Sequence, residues 1–223
     1  MSVPVAVMAS GSGTNFQALL DAEAEDAAYR VALLVTDREC WAETRAEAHG
    51  KPVRRISFKD RPRDEVASEI LEALRDSEAQ AVFLAGFLRL VPEEVIQAFP
   101  RRILNVHPAL LPAFGGQGMY GIRVHQAVLA SGARVSGPTV HYVDEHYDEG
   151  AILAQWPVPV LPDDTAELLA ERVLEVEHCL FPAAADGLAR GIEAGSRPTF
   201  SWPGESGHHS TWQSMRKAFE ILP

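Results

Sequence analysis

Short, unbroken apolar runs alternate with amphipathic stretches through the first half of the chain. Val3–Ala9 and residues 31–36, 52–57 and 81–85 read as strands. The first and last of these are solidly apolar, as expected where a parallel sheet is buried on both faces. Between them, residues from 16 onward, 41–49 and 64–77 read as helices. In the third, Val66, Ile70 and Leu74 share one face, with acids and Arg75 on the other. Pro92 opens a further helix over 92–99, at a position where its missing N–H costs little, and 102–106 follows as a short buried strand. Three right-handed β–α–β crossovers predict an α/β fold, a Rossmann-like, open, mostly parallel twisted sheet with helices on both faces.

The pattern then loosens. Ile122–Ser131 reads as a helix stopped by Gly132, and 135–143 alternates as a strand with Thr139, His141 and Val143 on one face. Residues 144–150 form an acidic turn, and 151–160 a strand that Pro157 and Pro159 place at a sheet edge. A long helical segment, 163–190, is expected to be interrupted near Pro182. Beyond Gly191 the composition turns to Gly, Ser, Pro, His and Trp. The chain is therefore read as one domain over 1–195 with an extension, 196–223, packed on it.

Composition narrows the partners. The 223 residues suffice for one full core, and 47% hydrophobic with 23% charged residues is ordinary for a globular protein. A net charge of -11 argues against nucleic acid or an anionic membrane as the main partner, since both need a basic face. A small anionic ligand needs only local donors. Cys40 and Cys179 match no metal or redox spacing and read as reduced, buried thiols. The N-terminus lacks a basic region ahead of its short apolar run, and no stretch reaches membrane-spanning length. A cytoplasmic protein is expected, as a monomer or homodimer.

The first loop, Ser10-Gly11-Ser12-Gly13-Thr14-Asn15, joins a strand to a helix, an arrangement that aims backbone N–H groups at an anion. Thr14 or Asn15 can cap that helix and also donate to a phosphate oxygen. Gly11-x-Gly13 begins a dinucleotide fingerprint, with Asp37 where a ribose-binding acid would sit. Phe16 takes the place of the third glycine, however, so a single phosphomonoester fits better. A tight turn holding nothing is the bland alternative. Arg63, in a basic loop at 59–63, could reach a phosphate, although a solvated turn is the default there. The apolar loop 86–91 could wall a pocket for a flat heterocycle, or be tucked into the core with Arg89 reaching to solvent.

Asn105-Val106-His107-Pro108-Ala109-Leu110-Leu111-Pro112 ends a strand. Asn105 and His107 point to the same side, and Pro108 stops the ladder because it has no N–H. Side chains left at the carboxyl end of such a strand face the ligand crevice. A strand cap with one hydrogen-bonded histidine accounts for this stretch equally well. Thr139, His141 and Asp148 add a second strand end and a carboxylate, which raises the pKa of a neighbouring imidazole and fixes its tautomer. A metal held by His107, His141 and Asp148 is the weaker reading, lacking a close-spaced ligand pair. No metal is expected, and the His208–His209 pair is read as solvated. Serine or cysteine nucleophilic catalysis has no candidate.

At these residues the chain resembles the folate-dependent formyltransferases. Asn105-x-His107-Pro108-x-Leu110-Leu111-Pro112, followed by Phe114 and glycines, is similar to their signature. So is Thr139-Val140-His141-Tyr142-Val143 with Asp148 beyond it. The loop at 10–15 narrows the resemblance to the branch that formylates glycinamide ribonucleotide, a substrate with one phosphate, in purine synthesis. The similarity runs from about Val3 to about Gly191. It implies transfer of the formyl group of 10-formyltetrahydrofolate to the ribonucleotide's amine through a tetrahedral intermediate. Asn105 and protonated His107 would stabilise the oxyanion, and Asp148 would pair with His107 and help move the proton. Thr139 and His141 would support Asp148 and an ordered water. The family's phosphate and substrate contacts map to Gly11, Gly13, Thr14, Asn15, Arg63, Pro108 and Glu177, the last holding the substrate amine. Its folate pocket maps to Leu88, Arg89, Leu90, Val91, Val143, Asp144 and Glu145. The Leu111–Pro112 peptide is expected to be cis.

The chain also departs from the family. The run 115–121 is longer than in shorter members and carries no assigned function, and Thr14 stands where serine is commoner. The tail after Gly191 has no counterpart. Formylmethionyl-tRNA synthesis would need a second, basic domain. Formyltetrahydrofolate hydrolysis usually comes with a regulatory domain ahead of a core that here begins at Val3. A sugar-nucleotide formyltransferase would not need this phosphate loop. A catalytically silent binding module would have little reason to keep Asn105, His107 and Asp148 together.

Overall fold

The structure, a computed structural model, describes residues 2–201 and 211–221; His208 and His209 lie outside the described residues. Its first half alternates strand and helix: β1 (Val3–Ala9), α1 (Thr14–Glu25), β2 (Tyr29–Thr36), α2 (Trp41–Ala48), β3 (Val53–Arg55), α3 (Arg63–Asp76), β4 (Ala81–Leu84), α4 (Glu93–Ala98) and β5 (Ile103–His107). Then come α5 (Ile122–Ser131), β6 (Val135–Ser136), β7 (Thr139–Tyr142), β8 (Ile152–Gln155), β9 (Val158–Pro159) and α6 (Ala166–Ala194). The described part of the extension adds β10 (Pro198–Phe200), α7 (Trp212–Arg216) and β11 (Phe219–Ile221).

Seven strands form one open sheet in the order β3-β2-β1-β4-β5-β7-β8. The first five are parallel, β7 is antiparallel to β5, and β8 is antiparallel to β7. The expected mostly parallel, doubly wound sheet is therefore present. Strand order reverses between β1 and β4, which opens a crevice at the carboxyl ends of the strands. β1 shows why its run had to be apolar throughout. Val5, Val7 and Ala9 pack on one face with α1 and α6, while Ala6 and Met8 pack on the other with α3. Both faces are core.

Four elements differ from the sequence reading. The expected strand 135–143 breaks at Gly137–Pro138, and 151–160 breaks at Trp156–Pro157, so the outer parts pair separately as the β6–β9 ribbon. Proline cannot donate to a ladder, which is why both breaks fall there. The expected interruption at Pro182 is absent: α6 runs unbroken for 29 residues. Pro182 removes one helical bond, to the carbonyl of His178, but Phe181, Pro182, Ala183, Ala184 and Ala185 are all buried, and that packing carries the helix through. Pro92 is the N-cap of α4 and not its first helical residue.

The extension docks on α6 through a buried charge. Asp186 has a fully buried side chain and accepts from Arg190 Nε and Arg216 Nε, both at 2.8 Å, and from the Ala28 amide at 2.8 Å. Trp212 Nε1 donates to Glu25 at 2.7 Å, tying α7 to the end of α1. No helix among the described residues is long and apolar enough to cross a membrane.

Candidate active site

β5 and β7 pair so that Asn105 lies opposite His141, and His107 opposite Thr139. The turn after β7 brings Asp148 back over these side chains. Asn105 Nδ2 lies 3.0 Å from His141 Nε2 and 3.4 Å from Asp148 Oδ1. His141 Nδ1 sits 2.9 Å from the Tyr142 carbonyl. A carbonyl only accepts, so Nδ1 carries a hydrogen toward it, and Nε2 faces the Asn105 amide. By the same argument His107 Nε2 donates to the Phe114 carbonyl at 2.8 Å. The other nitrogen, His107 Nδ1, faces Asp148 Oδ2 at 3.5 Å, and His141 Nε2 faces Oδ1 at 3.5 Å. One carboxylate thus lies between two imidazoles beside a primary amide. The three side chains of the metal reading do converge, yet among the described residues no group of three or more His, Cys, Asp or Glu is disposed to hold a metal ion.

Burial acts to raise the Asp148 carboxyl, but His141, His107 and the Gly116 amide together hold it below its ordinary value. Burial also pushes His107 below its ordinary value, against the opposing pull of Asp148 and the Phe114 carbonyl. Both directions favour an ionised Asp148 beside a neutral His107 near pH 7. The glycine run supplies contacts that sequence reasoning missed. The Gly116 N–H donates to Asp148 Oδ2 at 3.0 Å, and Phe114 presents its carbonyl to His107. Gly115 must be glycine for the run to pass this close: a Cβ there would lie 2.5 Å from a Leu111 methyl and 3.2 Å from the Asp148 Cβ.

Thr139 has a different task from the one expected. Its hydroxyl donates to the Ala109 carbonyl at 2.6 Å and accepts from the Leu111 amide at 3.0 Å. Gln155, unforeseen, donates to the Leu111 carbonyl at 2.8 Å and to Thr139 at 3.0 Å. The pair clamps the turn after Pro108, in which Leu111–Pro112 is cis as expected. Thr139 therefore fixes the path of the chain, not Asp148.

The first loop turns into α1 through Gly13, the helix N-cap, which sits at a left-handed φ of 69°. A Cβ there would meet Ala42 at 2.8 Å. Neither Thr14 nor Asn15 caps the helix with its side chain, because Gly13 occupies the cap and both lie inside the first turn. Their backbone N–H groups are among those a helix leaves without internal partners. The Asn15 side chain turns instead to α6, where Nδ2 donates to Glu177 at 2.6 Å. Burial lifts the Glu177 carboxyl to about 7, against the lowering effect of Asn15. Asn15 Oδ1 is buried with no hydrogen-bond partner.

These groups open on one cleft of about 660 Å³, lined by Asn15, Asn105, His107, Pro108, His141, Asp148 and Glu177. Leu88, Leu90, Val91 and Val143 form its apolar wall, with Arg89 and Asp144 beside them in the lining. Arg63 is not brought there: it is exposed at the first position of α3. Glu145 is exposed at the turn and does not line the cleft, while His125, His146 and Tyr147, unforeseen, do. Thr14 lines a neighbouring hollow with Arg45 and His178. Asp37 cannot serve a ribose, because its buried carboxylate is taken by Arg38 and Arg89.

Comparison with known proteins gives the family. Residues 3–185 match the formyl transferase family model. A phosphoribosylglycinamide formyltransferase named as chloroplastic, from Vigna unguiculata, is 50% identical over 82% of this chain, which spans 60% of that protein's length. The phosphoribosylglycinamide formyltransferase of Mycobacterium tuberculosis is 42% identical over 82% of this chain and 83% of its own. The crystal structure of glycinamide ribonucleotide transformylase 1 from Symbiobacterium toebii superposes with a TM-score of 0.81 at 37% identity, covering 90% of this chain and 92% of the other. The chain belongs to the formyl transferase family.

Proposed function

We propose that the protein transfers the formyl group of 10-formyltetrahydrofolate to the amine of glycinamide ribonucleotide, a step of de novo purine biosynthesis. Residues 1–195 would carry the activity and 196–223 would brace it, in a cytoplasmic monomer or homodimer. The observation that carries the reading is one cleft holding an Asn105–His107–Asp148 cluster together with a buried carboxylate, Glu177, which Asn15 ties to the first turn of α1 behind the glycine turn. The apolar wall of Leu88, Leu90, Val91 and Val143, with backbone groups between, suits a flat heterocycle. The reduced folate supplies an activated formyl carbon.

The residues divide the work as follows. Backbone N–H groups from Gly13 to Asn15 hold the phosphate, aided by the positive end of α1. Ionised Glu177 draws in the amine. As nitrogen bonds to the formyl carbon, the carbonyl oxygen gains negative charge, and the Asn105 Nδ2–H₂ group donates to it. The attacking nitrogen must shed a proton. His107 Nδ1 accepts it, Asp148 stabilises the resulting imidazolium, and that imidazolium supports the oxyanion. The proton then passes to the folate nitrogen as the carbon–nitrogen bond to it breaks. His107 starting neutral is an advantage in this scheme, because it can accept.

The test is an assay of formyl transfer from 10-formyltetrahydrofolate to glycinamide ribonucleotide, with a control offering only water. Formylated ribonucleotide supports the proposal. Formate release at the same rate without the ribonucleotide would make the protein a hydrolase instead.

A further inference from the structure

Asp37 stands at the carboxyl end of β2 and has no role in the scheme above. Its side chain is wholly buried, yet three side chains converge on its carboxylate. Arg38 Nη2 donates at 2.7 Å, and Arg89 Nε at 2.8 Å. The Ser10 hydroxyl also acts on this carboxylate, and with the two arginines it holds the carboxyl below its ordinary value although burial opposes them. Ser10 Oγ in turn accepts from the Leu88 N–H at 3.0 Å, and the Ser10 N–H donates to the Gly86 carbonyl at 3.1 Å. Two consecutive residues of one wall of the cleft are thus tied to a single buried charge. Arg89 is tied directly by its side chain, Leu88 through a hydroxyl relay. Both guanidinium groups stay about half exposed, with Arg89 lying along the cleft. A buried, ionised carboxylate whose acceptor sites are filled by the protein does not read a ligand. It sets the position of what does.

We propose that Asp37 is a positioning residue for the co-substrate wall, holding the 86–91 loop in its binding shape through Arg89 and Ser10. Because Ser10 directly precedes Gly11, the same carboxylate also joins this wall to the phosphate loop. Assigning the wall to the reduced folate rests on the formyl-transfer reading; the tether itself does not.

Three variants test it: Asp37→Asn, Ser10→Ala and the double substitution, each checked for folding by its thermal melt. In Asp37→Asn the KM for 10-formyltetrahydrofolate should rise about tenfold or more, as expected for loss of charge-assisted hydrogen bonds, with kcat and the ribonucleotide KM moving by less than about threefold. Ser10→Ala should show a smaller rise, and the double variant should be no worse than Asp37→Asn, because the two act along one path. Hydrogen exchange at the Leu88 amide should quicken in every variant. Folded variants with an unchanged folate KM and unchanged Leu88 exchange overturn the proposal. So does a uniform loss across kcat and both KM values, which marks a merely structural role. If wild-type protein neither transfers formyl groups nor binds tetrahydrofolate by fluorescence titration, the formyl-transfer reading fails. Leu88 exchange then still decides whether Asp37 positions the loop.

Discussion

Glu177 and Asp148 are both buried carboxyls on the same cleft, yet their surroundings drive them apart. Asp148 meets two imidazoles and an amide and stays ionised, whereas Glu177 has the Asn15 amide against full burial and rises to about 7. The native state therefore holds a proton on Glu177 that the unfolded chain has already released above 4.5. Stability from this group is fully present below that value and is lost as pH rises toward 7, by roughly 3 kcal/mol at about 1.4 kcal/mol per unit. Urea denaturation should accordingly show Glu177→Gln gaining on wild type between pH 5 and pH 8, while its ribonucleotide KM rises about tenfold. His107 gives a second pH signature. The neutral ring is the competent one, so kcat should fall as pH drops through a value below the ordinary imidazole range. Asp148 holds that value up, so Asp148→Asn should shift the limb to still lower pH and reduce kcat by about 10² or more. A limb that stays in place in the pH–rate profile removes Asp148 from this role.

At the scale of elements, the site depends on a loop passing between two strand ends. Gly115 lets the run from Phe114 to Gly116 slip under Asp148. Gly115→Ala should leave the fold intact, since a Leu111 methyl can swing aside, but push Asp148 by a few tenths of an ångström. Displacements of that order cost about 10- to 100-fold in turnover, which steady-state kinetics would read beside an unchanged melt. This loop also marks the limit of what the residues disclosed. β1 and β4 were legible because burial on both faces demands unbroken apolar runs. Asn105, His107 and Asp148 were legible because their chemistry belongs to side chains. The Gly116 N–H and the Phe114 carbonyl were not, since a backbone donor has no letter of its own and its direction depends on the turn. Thr139 was misread for a related reason. Its place opposite His107 followed from the alternation, but its hydroxyl answers to whichever backbone groups come nearest. Arg63 is a surface residue because α3 starts there, a boundary the basic loop did not reveal.

Across the whole molecule, α6 is the spine. It packs against the sheet, presents Glu177 to the cleft and receives the extension through Asp186. Neither its continuity through Pro182 nor the ion cluster was foreseen, because both are settled by packing between distant segments. Asp186→Ala would strip Arg190, Arg216 and the Ala28 amide of their shared partner. A loss of about 3 kcal/mol is expected, read by urea denaturation, along with faster proteolysis beyond residue 196. Turnover by the protein that remains folded should be unaffected.

The bond between Asn15 and Glu177 has a consequence during synthesis. Its partners are 162 positions apart, and the helix bearing Glu177 covers core residues of β1 such as Val5 and Val7. A ribosome that has released the glycine turn, β5, β7 and Asp148 has yet to emit the segment that closes them. Until α6 emerges, the growing chain carries a nearly finished Asn105–His107–Asp148 cluster over an open apolar face, a state prone to aggregate and suited to chaperone capture. Activity should therefore appear late and abruptly in translation, with the last part of the spine.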